Sequence, residues 1–247
     1  MERLLIIPAG GLGSRLGGNV PKLLAAVNHR PMIDHLLELY AGAVDRTAVI
    51  VHPSAEEAVR LRLGSAVAVD VFLQQEPTGM LDAIMLAAPA AERYRPRRVL
   101  ITWCDQVAIH PTTVAGIRAA TAGPQAPALA MPTCMQQSPY IHLERNAEGR
   151  ITRVLHRREG DVMPAVGESD AGLFDLSLQA YLEWLPQYAR DVAVGSRTGE
   201  RNFLPFVAWI SSRAQVATFP CVEPEEAIGV NTPEDLARIE RYLRERR

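Results

Sequence analysis

Apolar runs of strand length recur through the first half of the chain, at residues 4–7, 48–51, 67–73 and 99–103. A strand that is apolar on both faces has no side to give to water. Runs of this kind therefore belong to a parallel sheet covered by helices above and below. The intervening segments follow a helical period: Ile33, Leu36, Leu37 and Tyr40 share one face, and Leu81, Ile84, Met85 and Ala88 share another. Ser54 and Glu57 have the spacing of a capping box and predict a helix that ends near Gly64. Strand–helix alternation of this form predicts an α/β fold, in which ligands bind beyond the carboxyl ends of the strands.

The second half is less regular. Residues 140–145 and 150–156 flank Asn146-Ala147-Glu148-Gly149 and predict a hairpin with a glycine-assisted turn. A short strand is expected at 171–174, an amphipathic segment at 179–188, a helix at 202–211 despite Pro205, and a strand at 216–219. Thr232-Pro233 opens a last helix, with Thr at the cap, Pro at the first helical position, and Leu236, Ile239 and Leu243 as its apolar stripe. With no repeat, low-complexity stretch or linker, the expected organisation is one domain, 1–247. Its regular part is 1–135 and its less regular part 136–247.

A formal net charge of -2 gives no bulk attraction for nucleic acid or an anionic membrane, so neither is expected as a partner. The apolar stretch at 4–9 is too short for a signal peptide or a membrane span, and a cytoplasmic location is expected. Cys104, Cys134 and Cys221 are scattered and odd in number, which argues against a disulfide framework and a zinc site and for buried, reduced thiols. The six histidines show no metal-ligand spacing.

Chemistry concentrates in a few segments that leave strands on the ligand side. The stretch from Pro8 through Ala9, Gly10, Gly11, Gly13 and Arg15 to Pro21-Lys22 can bring several backbone N–H groups and two cations to one anion. Its glycines spell neither the dinucleotide-binding pattern nor a P-loop. Asp105 closes the fourth strand, where it could hold Mg²⁺ or cap the following turn. Asn231, just before the last helix, could add a second oxygen or merely ease helix entry. Gln74, five residues before Gly79, could read a base edge or be ordinary loop polarity. Cys104 reads as strand packing, and the Arg157-Arg158-Glu159 run as a solvated face or a phosphate contact.

Taken in order, these segments resemble the nucleotide-diphospho-sugar transferase superfamily, and within it the uridylyltransferase domain of the bacterial bifunctional N-acetylglucosamine-1-phosphate enzyme. Gly10 to Lys22 is similar to that family's glycine-rich loop, Gln74 to Gly79 to its base-reading segment, Asp105 to its G-D element and Gly229-Val230-Asn231 to its G-V-N element. The resemblance implies a Rossmann-like mixed, mostly parallel sheet flanked by helices, with a hairpin subdomain on the acceptor side. It also implies a Mg²⁺-dependent nucleotidylyltransferase that transfers NMP from an NTP, UTP favoured, to a sugar 1-phosphate and releases pyrophosphate. Asp105 and Asn231 would bind the metal, Arg15 and Lys22 the phosphates, and Ala9, Gly10, Gly11, Gly13, Gln74 and Gly79 the nucleotide. Tyr140, His156, Glu168 and Asp170 would face the acceptor. Departures gather on the acceptor side: Ile141 stands where the family has Gly, His156 where it has Glu and Asp170 where it has Asn. Cys104 and Met80 depart as well. Three alternatives stay open: a cytidylyltransferase acting on a phosphonate or alcohol phosphate, a catalytically inactive sugar-nucleotide sensor, and a dinucleotide-dependent oxidoreductase.

Overall fold

A computed structural model describes residues 1–11, 20–64 and 68–246. The chain begins with β1 (Arg3–Ala9), the short pair β2 (Ala26–Val27) and β3 (Arg30–Pro31), and helix α1 (Met32–Leu39). It continues through β4 (Arg46–Val51), α2 (Pro53–Leu63), β5 (Val69–Leu73), α3 (Met80–Met85) and α4 (Ala88–Tyr94). β6 (Arg98–Thr102) and α5 (Pro111–Ala120) precede the long β7 (Leu129–Gln137) and the hairpin β8 (Ile141–Arg145) and β9 (Ile151–His156). β10 (Val166–Asp170), β11 (Leu173–Ser177), α6 (Leu185–Asp191), α7 (Pro205–Ser211), β12 (Val216–Pro220) and α8 (Pro233–Glu245) complete it.

Eight strands form one mixed sheet in the order β10-β7-β11-β6-β1-β4-β5, with β12 also paired to β7. β5, β4, β1 and β6 are parallel, and antiparallel β11 joins this parallel half to β7. The alternation of strand side chains explains the apolar runs. Leu4 and Ile6 of β1 face a core built with α3, α4, α6 and α7, while Leu5 and Ile7 face one built with α1, α2, α5 and α8. All four are fully buried.

Several local expectations change. The cap of α2 is His52, not Ser54: Pro53 takes the first helical position, and the His52 ring accepts the Ser54 N–H at 3.2 Å. The same arrangement opens α5, where His110 accepts the Thr112 N–H at 3.0 Å. α7 begins at Pro205 itself, because a proline costs no hydrogen bond at that position. β7 and β10 were absent from the expected elements. Pro132 interrupts the run that becomes β7, and Gly167-Glu168-Ser169-Asp170 is too polar to read as a strand. The strand expected at 171–174 runs instead at Leu173–Ser177, after a bend at Gly172, whose φ of +67° suits glycine.

The cysteine expectation is also corrected. Cys134 on β7 and Cys221 just after β12 form a disulfide with Cα atoms 5.5 Å apart, leaving Cys104 as a buried free thiol. They are 87 residues apart in sequence, and only the parallel pairing of β7 with β12 makes them neighbours. Among the described residues no helix is long and apolar enough to cross a membrane.

At the end of the sheet away from the site, Asp175 of β11 stitches the halves together. Its carboxylate accepts from Arg98 Nε at 2.6 Å, Arg3 Nε at 3.2 Å and the Thr121 hydroxyl at 3.0 Å, with no exposure to solvent. Removing one partner of such a group strands the others as buried charge. Asp175→Ala is expected to lower unfolding stability by about 3–5 kcal/mol in urea titrations; a loss within about 1 kcal/mol, as at an exposed ion pair, would show that the network does not hold the sheet.

Candidate active site

The carboxyl ends of β1, β5 and β6 open onto a cavity of about 630 Å³, closed on its other side by β9, β10 and the segment that leads into α8. β1 delivers Ala9, Gly10 and Gly11 to its wall. Gly13 and Arg15 lie outside the described residues. Gly10 has to be glycine for a packing reason: a Cβ there would collide with the Gln74 side-chain amide. Gln74 is 5% exposed, and its Nε2 donates to the Gly79 carbonyl at 3.1 Å, which fixes the amide across the top of β1. Gly79 takes a φ of +124° and presses on the Arg201 backbone, so the Gln74–Gly79 segment is tied to the second half of the chain.

Lys22, Asp105 and Asn231 meet at one point. The Lys22 ammonium donates to Asp105 Oδ2 at 2.5 Å and to Asn231 Oδ1 at 2.7 Å, and all three residues line the cavity. Each is positioned by its own local structure. Lys22 starts a short 3₁₀ turn anchored by buried Leu23. Asp105 follows β6, and its backbone carbonyl accepts the Val230 N–H at 3.1 Å. Gly229 lies flat against the Asp105 carboxylate, where a Cβ would come within 2.9 Å. Asn231 is held by the entry to α8: Asp235 accepts the backbone N–H groups of Asn231 and Thr232, and Thr232 caps Asp235 in return. Behind it, the fully buried Glu226 accepts N–H groups from His110, Val222 and Glu223. The two oxygens proposed from sequence as a metal pair thus do converge on a single cationic group.

The acceptor side is less uniform. Tyr140 and His156 form an edge-on ring pair with centroids 5.2 Å apart, both on the cavity wall. Burial holds the His156 imidazole below its usual range, so the ring is neutral near pH 7. Asp170 lines the cavity too, and burial pushes its carboxyl up to about 6. Glu168 does not join them. It pairs with Arg145 through two bonds of 2.7 Å and lies off the cavity wall, its carboxylate drawn to the hairpin guanidinium. Arg158 and Glu159 do line the cavity, and the Glu159 carboxyl is held down to about 2, chiefly by the Thr198 hydroxyl. Burial pushes the Cys104 thiol up to about 12, which keeps it protonated and removes it as a nucleophile.

Other lining residues carried no signal singled out from sequence. Trp103 is wedged against Phe174 and Phe203, with centroids 5.1 and 5.9 Å away. Gln106 and Asn202 are polar lining residues. The clue to Gln106 was available: it is a lone polar side chain between Asp105 and the apolar Val107-Ala108-Ile109.

Residues 5–168 match the model of the MobA-like NTP transferase domain. The chain belongs to this family. It is a nucleotidyltransferase, and the dinucleotide-dependent oxidoreductase alternative falls away. The MobA-like match takes in Lys22, Gln74 and Asp105 and stops short of Asn231. Two proteins named bifunctional protein GlmU are similar over nearly the whole chain. That of Brevibacillus brevis is 25% identical over 98% of this chain and 51% of its own length; that of an Anaeromyxobacter strain is 31% identical over 98% and 49%. The chain spans about half the length of these curated relatives. A Bacillus anthracis structure described as a glucose-1-phosphate thymidylyltransferase, solved with sucrose, superposes with a TM-score of 0.73 at 16% identity, covering 98% of this chain and 95% of that one. At that identity it shows the fold, a mixed and mostly parallel sheet between helices, as expected.

Asp170 gives a pH test. Its folded-state pKa lies above the ordinary 3.8, so between about pH 4 and 6 the native protein holds a proton that the unfolded chain has lost. This group therefore lowers stability as pH rises through that window. Asp170→Asn is expected to melt near the parent at about pH 4 and above it at about pH 7.5. Circular dichroism melts showing the same offset at both pH values would refute the buried-carboxylate assignment.

Proposed function

We propose that this chain is a Mg²⁺-dependent nucleotidylyltransferase that transfers NMP from an NTP, with UTP favoured, to a sugar 1-phosphate and releases pyrophosphate. The observation that carries this reading is the meeting of Asp105 Oδ2 and Asn231 Oδ1 on one ammonium. Two hard oxygens aimed at a single cationic point suit Mg²⁺, which takes one or two protein oxygens and fills its remaining positions with substrate phosphates and water. The Lys22 ammonium stands in for that cation here. Bound between Asp105 and Asn231, the metal would supply charge neutralisation at the α-phosphate.

The protein's own groups account for the rest. Lys22 lines the same cavity as Gly10 and Gly11, so its ammonium can turn from Asp105 to a phosphate held against that backbone. Gln74, its amide fixed by Gly79, offers hydrogen-bonding groups to a pyrimidine edge. An oxygen of the acceptor phosphate attacks the α-phosphorus, and the bond to the leaving pyrophosphate breaks as that group takes the electron pair. An acceptor phosphate is already ionised and needs no general base. The neutral His156 and the deprotonated Glu159 are then wall groups, not proton carriers. The main obstacle is holding two anions in line, and fixed positions can contribute up to about 7–11 kcal/mol to such a step. Support for a sugar phosphate as acceptor comes from the resemblance to nucleotide-diphospho-sugar transferases that Lys22, Gln74, Asp105 and Asn231 carry.

The decisive measurement is pyrophosphate release, screened with four NTPs against sugar phosphates and phosphonates, with and without Mg²⁺. Release that requires Mg²⁺ and a sugar 1-phosphate is expected; release only with a phosphonate or alcohol phosphate would move the assignment to that acceptor class. No release with any pair would leave a non-catalytic sensor. Asp105→Ala is expected to cut turnover by about 10²–10³-fold or more while leaving the melting curve cooperative. Near-normal turnover would refute the role given to Asp105.

A further inference from the structure

Four carboxylates are buried among the described residues, and three of them are compensated within the protein. Asp105 meets the Lys22 ammonium, Asp175 two guanidiniums, and Glu226 three backbone N–H groups. Asp170 is the exception. It is 6% exposed, and from other residues it receives only the Gly172 N–H, which donates to Oδ1 at 2.7 Å. Oδ2 accepts no such bond, and no Lys or Arg among the described residues pairs with the carboxyl. Gln106 Oε1, in the side chain that lies over Gly172, also lacks a partner but is sealed from solvent; Asp170 Oδ2 is not so sealed, and the surface it lines is the cavity. With a pKa pushed up to about 6, this carboxyl is mostly ionised at neutral pH despite its burial. A buried anion left without a partner is costly, and a cation arriving through the cavity would remove that cost.

The surroundings of Asp170 favour the same kind of ligand. The Trp103 ring packs on Gly172, where a Cβ would lie 2.4 Å from its Cδ1, and Trp103 lines the cavity. An aromatic surface beside an unpaired carboxylate suits a cation, which is drawn to both. The wall around them has the same sign. Glu159, Asp161 and Glu200 line it, and its one guanidinium, Arg158, pairs with Glu200 at 3.4 Å. Glu159 and Asp161 are bound by neutral groups: the Thr198 hydroxyl, the Asn202 amide and the Arg197 and His156 N–H groups. Asp170, Glu159 and Asp161 therefore leave this wall negative, while Lys22 puts a positive charge on the other side of the cavity. The Trp103 N–H donates to the Gly172 carbonyl at 3.0 Å, so the acidic wall runs alongside the strand end that carries Asp105. An acceptor whose phosphate lies by Lys22 and Asp105 then matches the cavity best with a positive charge at its other end.

We propose that the acceptor is a phosphate ester carrying a protonated amine, and that Asp170 is the specificity-determining residue whose Oδ2 binds the ammonium. This rests on the reading of the chain as a nucleotidylyltransferase and deepens it by naming what the acceptor must carry; an amino sugar 1-phosphate is the member of this class that is also a sugar 1-phosphate. A hydroxyl in the same place would give Oδ2 a hydrogen bond but leave its charge unpaired. An ammonium supplies both the donor and the charge.

The test measures binding, so it does not depend on turnover. Monoamino-deoxy forms of glucose, galactose and mannose 1-phosphate are each titrated beside the parent sugar phosphate, and 2-aminoethyl phosphate beside 2-hydroxyethyl phosphate. Calorimetry is run on the parent protein and on Asp170→Asn, with Mg²⁺ and the non-transferable α,β-methylene form of UTP or CTP. At least one amine is expected to bind the parent protein about 10- to 100-fold more tightly than its hydroxyl counterpart, the worth of a hydrogen bond to a charged group. Asp170→Asn keeps the shape and is expected to erase that preference while changing the hydroxyl counterpart by no more than a few-fold, the signature of a direct pair. The arm that shows the preference tells a sugar phosphate from an alcohol phosphate. A parent protein that binds no amine more tightly than its counterpart would overturn the proposal, whether or not the variant folds. So would an Asp170→Asn that weakens amine and hydroxyl forms equally. Pyrophosphate release by the parent protein, measured separately, tells whether the transferase reading itself has failed: release with hydroxyl acceptors alone would keep that reading and overturn this one.

Discussion

A carboxylate that is 8% exposed has to be compensated, and in this fold the Asp105 carboxylate is compensated by a cation. The rest of the site follows from that need. Asp105 leaves the carboxyl end of β6, the strand next to β1, so the charge faces the glycine-rich backbone where a triphosphate would lie. Lys22 supplies the compensating charge, and Asn231 shares it through an amide oxygen. The arrangement suits a chain whose net charge of -2 offers no general attraction for polyanions. Any attraction for an anion has to be local, and an ammonium shared by two oxygens fixes one positive charge on the cavity wall.

Bringing three residues so distant in sequence together puts demands on the scaffold. Asn231 arrives from near the end of the chain, and its approach is controlled twice. The fully buried Glu226 carboxylate gathers three backbone N–H groups before it, and the Thr232–Asp235 capping box fixes the entry to α8 after it. Between these anchors Gly229 lets the backbone lie against Asp105, where any side chain would push the carboxylate away from Lys22. The Cys134–Cys221 disulfide joins the end of β12 to β7 immediately before this segment, so the run 222–231 leaves from a covalently fixed point. At the opposite end of the sheet, Asp175 holds β1, β6 and β11 together through Arg3, Arg98 and Thr121. Rigidity at one end is what allows precise placement at the other.

The nucleotide half could be read from the sequence because its physics is local. Continuous apolar runs have few alternatives to buried parallel strands, and a glycine loop, an acidic residue and Gln74 at successive strand ends point to one place. The acceptor half depends on pairing between distant segments. β7 hides behind Pro132 and β10 behind four non-apolar residues, so neither shows the periodicity that marks a strand. The disulfide was invisible because nothing in the spacing of Cys134 and Cys221 shows that β7 and β12 are neighbours. Glu168 and Asp170 illustrate the limit of motif position: both lie on β10, yet one is spent on Arg145 and the other faces the cavity. Gln106 could be seen as an isolated polar residue in an apolar stretch, but its orphaned oxygen exists only in three dimensions.

The division between the halves is also chemical. On the proposed reading, triphosphate and metal would meet groups whose geometry depends on the parallel strands, and such geometry tolerates little change. The facing wall is assembled from β9, β10 and the 200–205 segment, where the elements contribute single side chains instead of a shared backbone cradle. Single side chains can be exchanged without disturbing the sheet, and this is where the chain departs from the superfamily pattern, at Ile141, His156 and Asp170. His156 is neutral, Glu159 is occupied by Thr198, Asn202 and the Arg197 N–H, and Asp161 accepts the His156 N–H. Most polar groups of that wall are therefore already satisfied within the protein.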